Sequence, residues 1–174
     1  RAASDRIFLA DDHAESTASA VTLTCPSSPG LEILSVNTHT TEPPTGLSTT
    51  ASIAVGAVTA ALTLRGFAYV YGAQFLGATN AGSSCVIAVV DTASPGAFLF
   101  DECGFSLRTS SGATFNFGQG PASTNDNVQI DFNNCTFKFG ATSQLIALRQ
   151  GRIRFSNMVL DGAGSTPTTL FAFG

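Results

Sequence analysis

Four ungapped segments in the second half of the chain place apolar side chains in one figure. They are Val70-Tyr-Gly-Ala73-Gln-Phe75, Phe100-Asp-Glu-Cys103-Gly-Phe105, Phe132-Asn-Asn-Cys135-Thr-Phe137 and Phe155-Ser-Asn-Met158-Val-Leu160. Two positions before them stand Ala68, Phe98, Ile130 and Ile153; two positions after them stand Gly77, Leu107, Phe139 and Gly162. The figure reads apolar-x-apolar-x-x-apolar-x-apolar. Alternation at period two marks a strand with one buried face. One additional residue then shifts the phase, and alternation resumes, as a strand, a sharp corner and a second strand would give. A further β-like run follows each unit after a short Gly/Ser/Thr/Asn stretch, at 85–90, 113–117, 144–148 and 169–173. Successive corner units lie 30, 32 and 23 residues apart, in the range of solenoid repeats. Variable spacing around a fixed figure means loops of different length outside a constant cross-section.

The physical solution is an all-β parallel β-helix of about five to six coils, with equivalent residues of neighbouring coils stacked about 4.8 Å apart. Phe100 then lies over Phe132 and Phe155, Phe105 over Phe137 and Leu160, and Cys103 over Cys135 and Met158. Each buried Phe contributes about 1.5–3 kcal/mol, while ordering each residue's backbone costs about 1–2 kcal/mol, so single coils cannot stand alone and several must stack. The whole chain, 1–174, reads as one such domain, with 66–174 as the repeated coils and 1–65 as less regular N-terminal ones. Strand candidates in that first part are 6–10, 20–24, 31–36, 51–55 and 60–65. Asp12-x-x-Glu15 resembles a capping box and predicts at most one turn of helix there. The Thr-rich stretch 38–50 reads as an exposed loop. A sandwich or jelly roll is the competing architecture, but the hairpin signal it needs occurs once, at Asp161-Gly162. The uncapped strand pattern at 168–174 and the absent initiator Met predict a piece of a longer or processed polypeptide.

Composition sharpens the picture. Of 174 residues, 44% are apolar and only 11% charged, and mean hydropathy is +0.24. Polarity comes from Ser, Thr, Asn and Gly, which suit strands, turns and ladders more than helix surfaces. Fourteen Phe against two Tyr and no Trp fit a dry interior, because Phe has no polar tip to satisfy. A net charge of −4 excludes a binder of phosphate backbones. No apolar run is long enough for a membrane-spanning helix.

The opening residues 5–16, Asp-Arg-Ile-Phe-Leu-Ala-Asp-Asp-His-Ala-Glu-Ser, resemble the first turn of pectate-lyase-like right-handed β-helix proteins encoded by tailed bacteriophages. Those proteins begin with an Asp-x-Ile-x-Val/Leu strand, an Asp-His-Ala-Glu-Ser/Thr segment and a strand of the Val-Thr-Leu-Thr kind, found here at 21–24. The corner units with Cys and Phe are similar as well, so that the likeness extends over about two-thirds of the chain. The resemblance implies a right-handed helix in a virion-surface structural protein: a capsid decoration, or part of a tail fibre or tailspike. It implies a homotrimer in contact with other virion proteins.

Candidate chemistry is sparse. Asp11, Asp12, His13 and Glu15 offer metal-binding side chains within five residues, but adjacent residues rarely point at one ion, and the segment is expected to cap the first coil with no metal or cofactor. His39 is expected in a solvated loop. A polysaccharide hydrolase would need a carboxylate pair on one outer face. A lyase, by family resemblance, would need calcium-binding acids with an Arg or Lys base. The candidates are Asp101, Glu102, Asp131 and Asp161, with Arg108, Lys138, Arg152 and Arg154. In the repeat alignment Glu102 stacks near Asn134 and Asn157, Asp101 near Asn133 and Ser156, Asp131 near Leu99 and Asp161 near Lys138. No two carboxylates therefore fall in one column of adjacent coils, and the Asn134/Asn157 stack reads as an amide ladder. Of Cys25, Cys85, Cys103 and Cys135, the last two fall on neighbouring coils at a distance that permits a disulfide; reduced interior thiols are the favoured reading. Tyr69 and Tyr71 alternate outward against Ala68 and Val70, as a platform for a host-surface glycan or an intersubunit patch. A non-catalytic structural role leads; a polysaccharide lyase or hydrolase and a carbohydrate-binding adhesin remain the alternatives.

Overall fold

The computed structural model describes residues 5–17, 19–26, 30–37, 44–55, 61–77, 86–90, 95–108, 112–119 and 127–174. They form six coils of three strands each. The first is β1 (Arg6–Ala10), β2 (Ala14–Thr17) and β3 (Val21–Thr24); the second is β4 (Leu31–Val36), β5 (Ser52–Val55) and β6 (Leu62–Arg65). The third is β7 (Phe67–Tyr71), β8 (Gln74–Gly77) and β9 (Val86–Val89); the fourth is β10 (Gly96–Asp101), β11 (Gly104–Leu107) and β12 (Thr114–Phe117). The fifth is β13 (Val128–Asn133), β14 (Thr136–Lys138) and β15 (Leu145–Leu148); the sixth is β16 (Arg152–Ser156), β17 (Val159–Asp161) and β18 (Phe171–Phe173). Every third strand pairs in parallel, giving three six-stranded sheets: β1-β4-β7-β10-β13-β16, β2-β5-β8-β11-β14-β17 and β3-β6-β9-β12-β15-β18. The fold is a right-handed parallel β-helix, with no helix among the described residues.

The interior is built of stacked columns. On the first sheet Ile7, Ile33, Val70, Phe100, Phe132 and Phe155 lie in one register, and on the second Glu15, Ile53, Phe75, Phe105, Phe137 and Leu160 in another. Rings within a column lie nearly parallel: Phe100–Phe132 at 5.2 Å and 10°, Phe132–Phe155 at 5.1 Å and 8°, Phe105–Phe137 at 5.2 Å and 12°. Across the corner the two columns meet edge to face, with Phe100–Phe105 at 5.1 Å and 84° and Phe132–Phe137 at 5.2 Å and 78°. Both arrangements suit the ring quadrupole and contribute about 0.5–1.5 kcal/mol per pair beyond burial.

The residue that shifts the phase at each corner is the left-handed one. Gly72, Glu102, Asn134 and Asn157 have φ of 72°, 54°, 51° and 54°. Each of the first three donates its amide to the next coil: Gly72 to Asp101 O at 3.0 Å, Glu102 to Asn133 O at 3.1 Å and Asn134 to Ser156 O at 2.9 Å. Gly and Asn tolerate this conformation; Glu102 does not do so readily, and the coil-to-coil bonds hold it there. Gly72 has a second reason, since a Cβ there would lie 2.0 Å from Ser48 O.

The first two coils follow the same frame with two departures from expectation. Residues 12–15 form no helical turn. Asp11 and Asp12 make a turn closed by the His13 amide on Ala10 O at 2.9 Å, and β2 follows as a strand paired with β5. Bonds to the neighbouring coil outweigh the local capping preference. In the second coil the described residues 44–51 lie between β4 and β5, pinned where the Ser48 amide meets Ser35 O at 2.9 Å and Leu47 bridges Val36. Of the stretch expected to be a loop, residues 44–50 are described and lie outside the strands; His39 and Cys85 lie outside the described residues.

Phe105→Ala empties a site touched by stacked and edge-on rings and should lower the unfolding free energy by about 3–5 kcal/mol. Phe173→Ala, at a side chain 83% exposed, should change it by no more than about 0.5 kcal/mol. Urea denaturation of both variants checks the contrast.

Candidate functional site

With the interior given over to phenylalanines, chemistry is confined to outward positions, and the register places each one. On the first sheet the outward columns run Arg6, Glu32, Tyr69, Leu99, Asp131, Arg154 and Phe8, Leu34, Tyr71, Asp101, Asn133, Ser156. A third carries Phe67, Ala97, Gln129 and Arg152. Between these columns lies a groove of about 610 Å³, lined at its surface by Glu32, Phe67, Tyr69, Leu99, Gln129 and Asp131. That volume is in the range of small-ligand sites.

The candidate carboxylates do not converge on one centre. Asp101 and Asp131 share the face of the first sheet, on neighbouring coils but in different columns. Glu102 sits on the corner, and Asp161 closes β17 on the second sheet opposite Lys138. Each aspartate is engaged by protein groups. Asp101 accepts from Tyr69 Oη at 3.5 Å and from Asn134 Nδ2 at 3.4 Å. Asp131, whose side chain is 9% exposed, accepts from Gln129 Nε2 at 2.7 Å and faces Arg154 Nε at 2.9 Å. Asp161 accepts from the Ala163 amide at 2.8 Å and pairs with Lys138 at 3.4 Å. The Ala163 amide first, and then Lys138, holds the Asp161 carboxyl below its ordinary 3.8. Burial first, and Asp101 second, pushes the Tyr69 phenol above its ordinary 10.0.

The amide ladder is present: Asn157 Nδ2 donates to Asn134 Oδ1 at 3.1 Å, and Asn134 passes the chain to Asp101 rather than to Glu102. Cys25, Cys103 and Cys135 are buried free thiols. Cys103 Sγ donates to Val70 O and Asp101 O, both at 3.4 Å, and Cys135 Sγ to Asn133 O at 3.2 Å. Burial pushes the Cys103 thiol well above its ordinary value and Cys25 to about 11, which makes neither a ready nucleophile. In the first coil His13 Nε2 lies 3.6 Å from Glu15 Oε2, and among the described residues no three His, Cys, Asp or Glu side chains converge on a metal position.

Tyr69 and Tyr71 both face outward, as alternation requires, and Tyr69 borders the groove. Glu32, Phe67, Leu99 and Gln129 are the groove residues that sequence reasoning did not single out. Their signal was faint: large apolar side chains, Phe67 and Leu99, on the phase of their strands that points away from the core.

Arg154→Ala should lower stability by about 1–3 kcal/mol, because Asp131 then keeps a desolvated charge without its cation, and adding Asp131→Asn should restore part of the loss. Chemical denaturation of the single and double variants measures it. The Asp161 shift stabilises the fold above the carboxyl's unfolded value and is lost as pH falls through the lower folded one. Asp161→Asn should therefore flatten the decline of stability below about pH 4, read from melting temperature against pH. No protein-family model, no curated protein and no solved structure matches the chain.

Proposed function

We propose that the chain is a non-catalytic structural β-helix on the surface of a tailed-phage particle, serving as a capsid decoration or as a tail fibre or tailspike component. The observation that carries the non-catalytic part is the state of the acids. Asp101, Asp131 and Asp161 are each held by neighbouring donors, and no two share a column. A glycosidase needs one carboxyl to carry a proton and another to act on the sugar from across the bond; carboxylates bound into ladders and ion pairs are structural. The particle and its trimeric, multi-protein setting are supported by the likeness of residues 5–16 to the first coil of phage β-helices, a segment that here forms β1, the turn at Asp11 and Asp12, and β2. A stack of six coils, the last four locked by aromatic columns, suits a rigid surface element.

The enzyme reading keeps one favourable feature, the shared face of Asp101 and Asp131, but both carboxylates are already bonded to neighbouring side chains. Purified protein incubated with bacterial capsular and lipopolysaccharides should release neither reducing ends nor unsaturated uronides. Antibody raised against it should label phage particles by immunogold electron microscopy. Steady product release that disappears in Asp101→Asn would overturn the non-catalytic assignment, and unlabelled particles would overturn the virion one.

A further inference from the structure

The corner between the first and second sheets carries sulfur. Its inward position runs Ala73, Cys103, Cys135 and Met158 on successive coils, so that three of the four described sulfur side chains, the chain's one methionine among them, fall in one column. The same backbone bond keeps each step in register: the Thr136 amide meets Cys103 O at 3.0 Å, and the Val159 amide meets Cys135 O at 2.9 Å. The two thiols also adopt one pose. Cys103 Sγ donates to Asp101 O in its own coil and to Val70 O in the coil before, both at 3.4 Å. Cys135 Sγ repeats the pattern, with Asn133 O at 3.2 Å and Phe100 O at 3.7 Å. One pose on neighbouring coils places the sulfurs one coil rise apart, about 4.8 Å. They face each other: contact with the Cys103 side chain outweighs burial and draws the Cys135 thiol below its ordinary 9.0.

That spacing separates two uses of a thiol pair. A disulfide needs sulfurs about 2.05 Å apart, so both side chains would have to leave this pose and the carbonyls they bond. An ion bridging two thiolates needs about twice a metal–sulfur bond of about 2.3 Å, or about 4.6 Å, which the coil rise supplies unaltered. We propose that Cys103 and Cys135 bind one copper(I) ion between them. Thiolate and thioether sulfur select soft ions, and copper(I) accepts two ligands in line. Zinc would need four, and among the described residues no three His, Cys, Asp or Glu side chains converge on a metal position. The two cysteines are 2% and 0% exposed, which keeps water from the ion. Met158, part-buried on the sixth coil, extends the soft lining toward the surface. Binding exchanges two S–H protons, released to solvent, for two Cu–S bonds, and neither copper nor sulfur changes oxidation state. Ala73 shows that the corner folds without sulfur, so the turn itself does not require the thiols. The inference stands on this column alone and needs no phage particle.

Anaerobic titration of the reduced, intact protein with copper(I) held by bicinchoninate tests it, with transfer read by native mass spectrometry and by sulfur-to-copper absorption in the ultraviolet. One ion per chain should transfer, with the loss of two protons. Affinity should fall about 100-fold for each unit by which pH is lowered while both thiols are protonated. Cys103→Ala and Cys135→Ala copy the third coil, where Ala73 stands, and urea denaturation checks that they fold. Each should weaken binding at least about 100-fold, while Cys25→Ala leaves it unchanged. Absence of transfer would overturn the proposal. So would transfer that persists in either column variant, or zinc(II) bound as tightly as copper(I). None of these results bears on immunogold labelling or on polysaccharide release, so this inference and the proposed function fail separately.

Discussion

Parallel, in-register stacking of coils is the constraint from which the rest of this molecule follows. A strand slipped by one residue would turn its whole apolar set outward, so every coil must present the same inward positions at the same points of the cross-section. Phenylalanine meets that demand without a polar atom to satisfy, and identical rings one coil apart settle into near-parallel stacks such as Phe100 on Phe132. The second column, Phe75, Phe105 and Phe137, lies around the corner and packs edge-on against the first. The two columns reinforce each other only if the corner turns through the same angle in each coil. That angle is set by one left-handed residue, and its strain is tolerated because its amide is bonded to the adjacent coil.

The same constraint decides where function can reside. Inward positions are committed, so polar chemistry and chain-length variation are displaced to outer faces and corners. Between β4 and β5 the chain is long, yet both strands keep their pairing with the third coil. On the outer faces, side chains one coil apart are close enough to bond in ladders, which is how Asn157, Asn134 and Asp101 are joined. Ladder formation competes with catalysis for the same carboxylates. The first sheet also turns aromatic and aliphatic side chains outward, Phe67, Tyr69 and Leu99, and these border a recess beside its bonded acids.

The repeated coils were legible from sequence because a phase shift inside an alternating pattern has few other physical causes, and Phe100, Phe132 and Phe155 aligned without gaps. The first two coils were harder to read for identifiable reasons. Residues 37–51 interrupt the corner figure of the second coil, and in the first coil Glu15 and Thr17 occupy inward registers, over Ile53 and Val55, where the figure calls for apolar side chains. Asp12 and Glu15 then imitate a helix start, a local preference that hydrogen bonds to β5 override. The columns of acids and amides were also legible, since they follow from the register alone. The groove was not: it depends on side chains from separate columns meeting laterally, which the alternation within any single strand does not display.

The central claim is that phenylalanines of successive coils are energetically coupled through a continuous stack. A double-mutant cycle on Phe100→Leu and Phe132→Leu, followed by urea denaturation, reads that coupling directly. The stack predicts an interaction energy of about 0.5–1.5 kcal/mol for this pair, against about zero for Phe75→Leu with Phe155→Leu, which lie in different columns three coils apart. Additive effects for Phe100 and Phe132 would contradict the account.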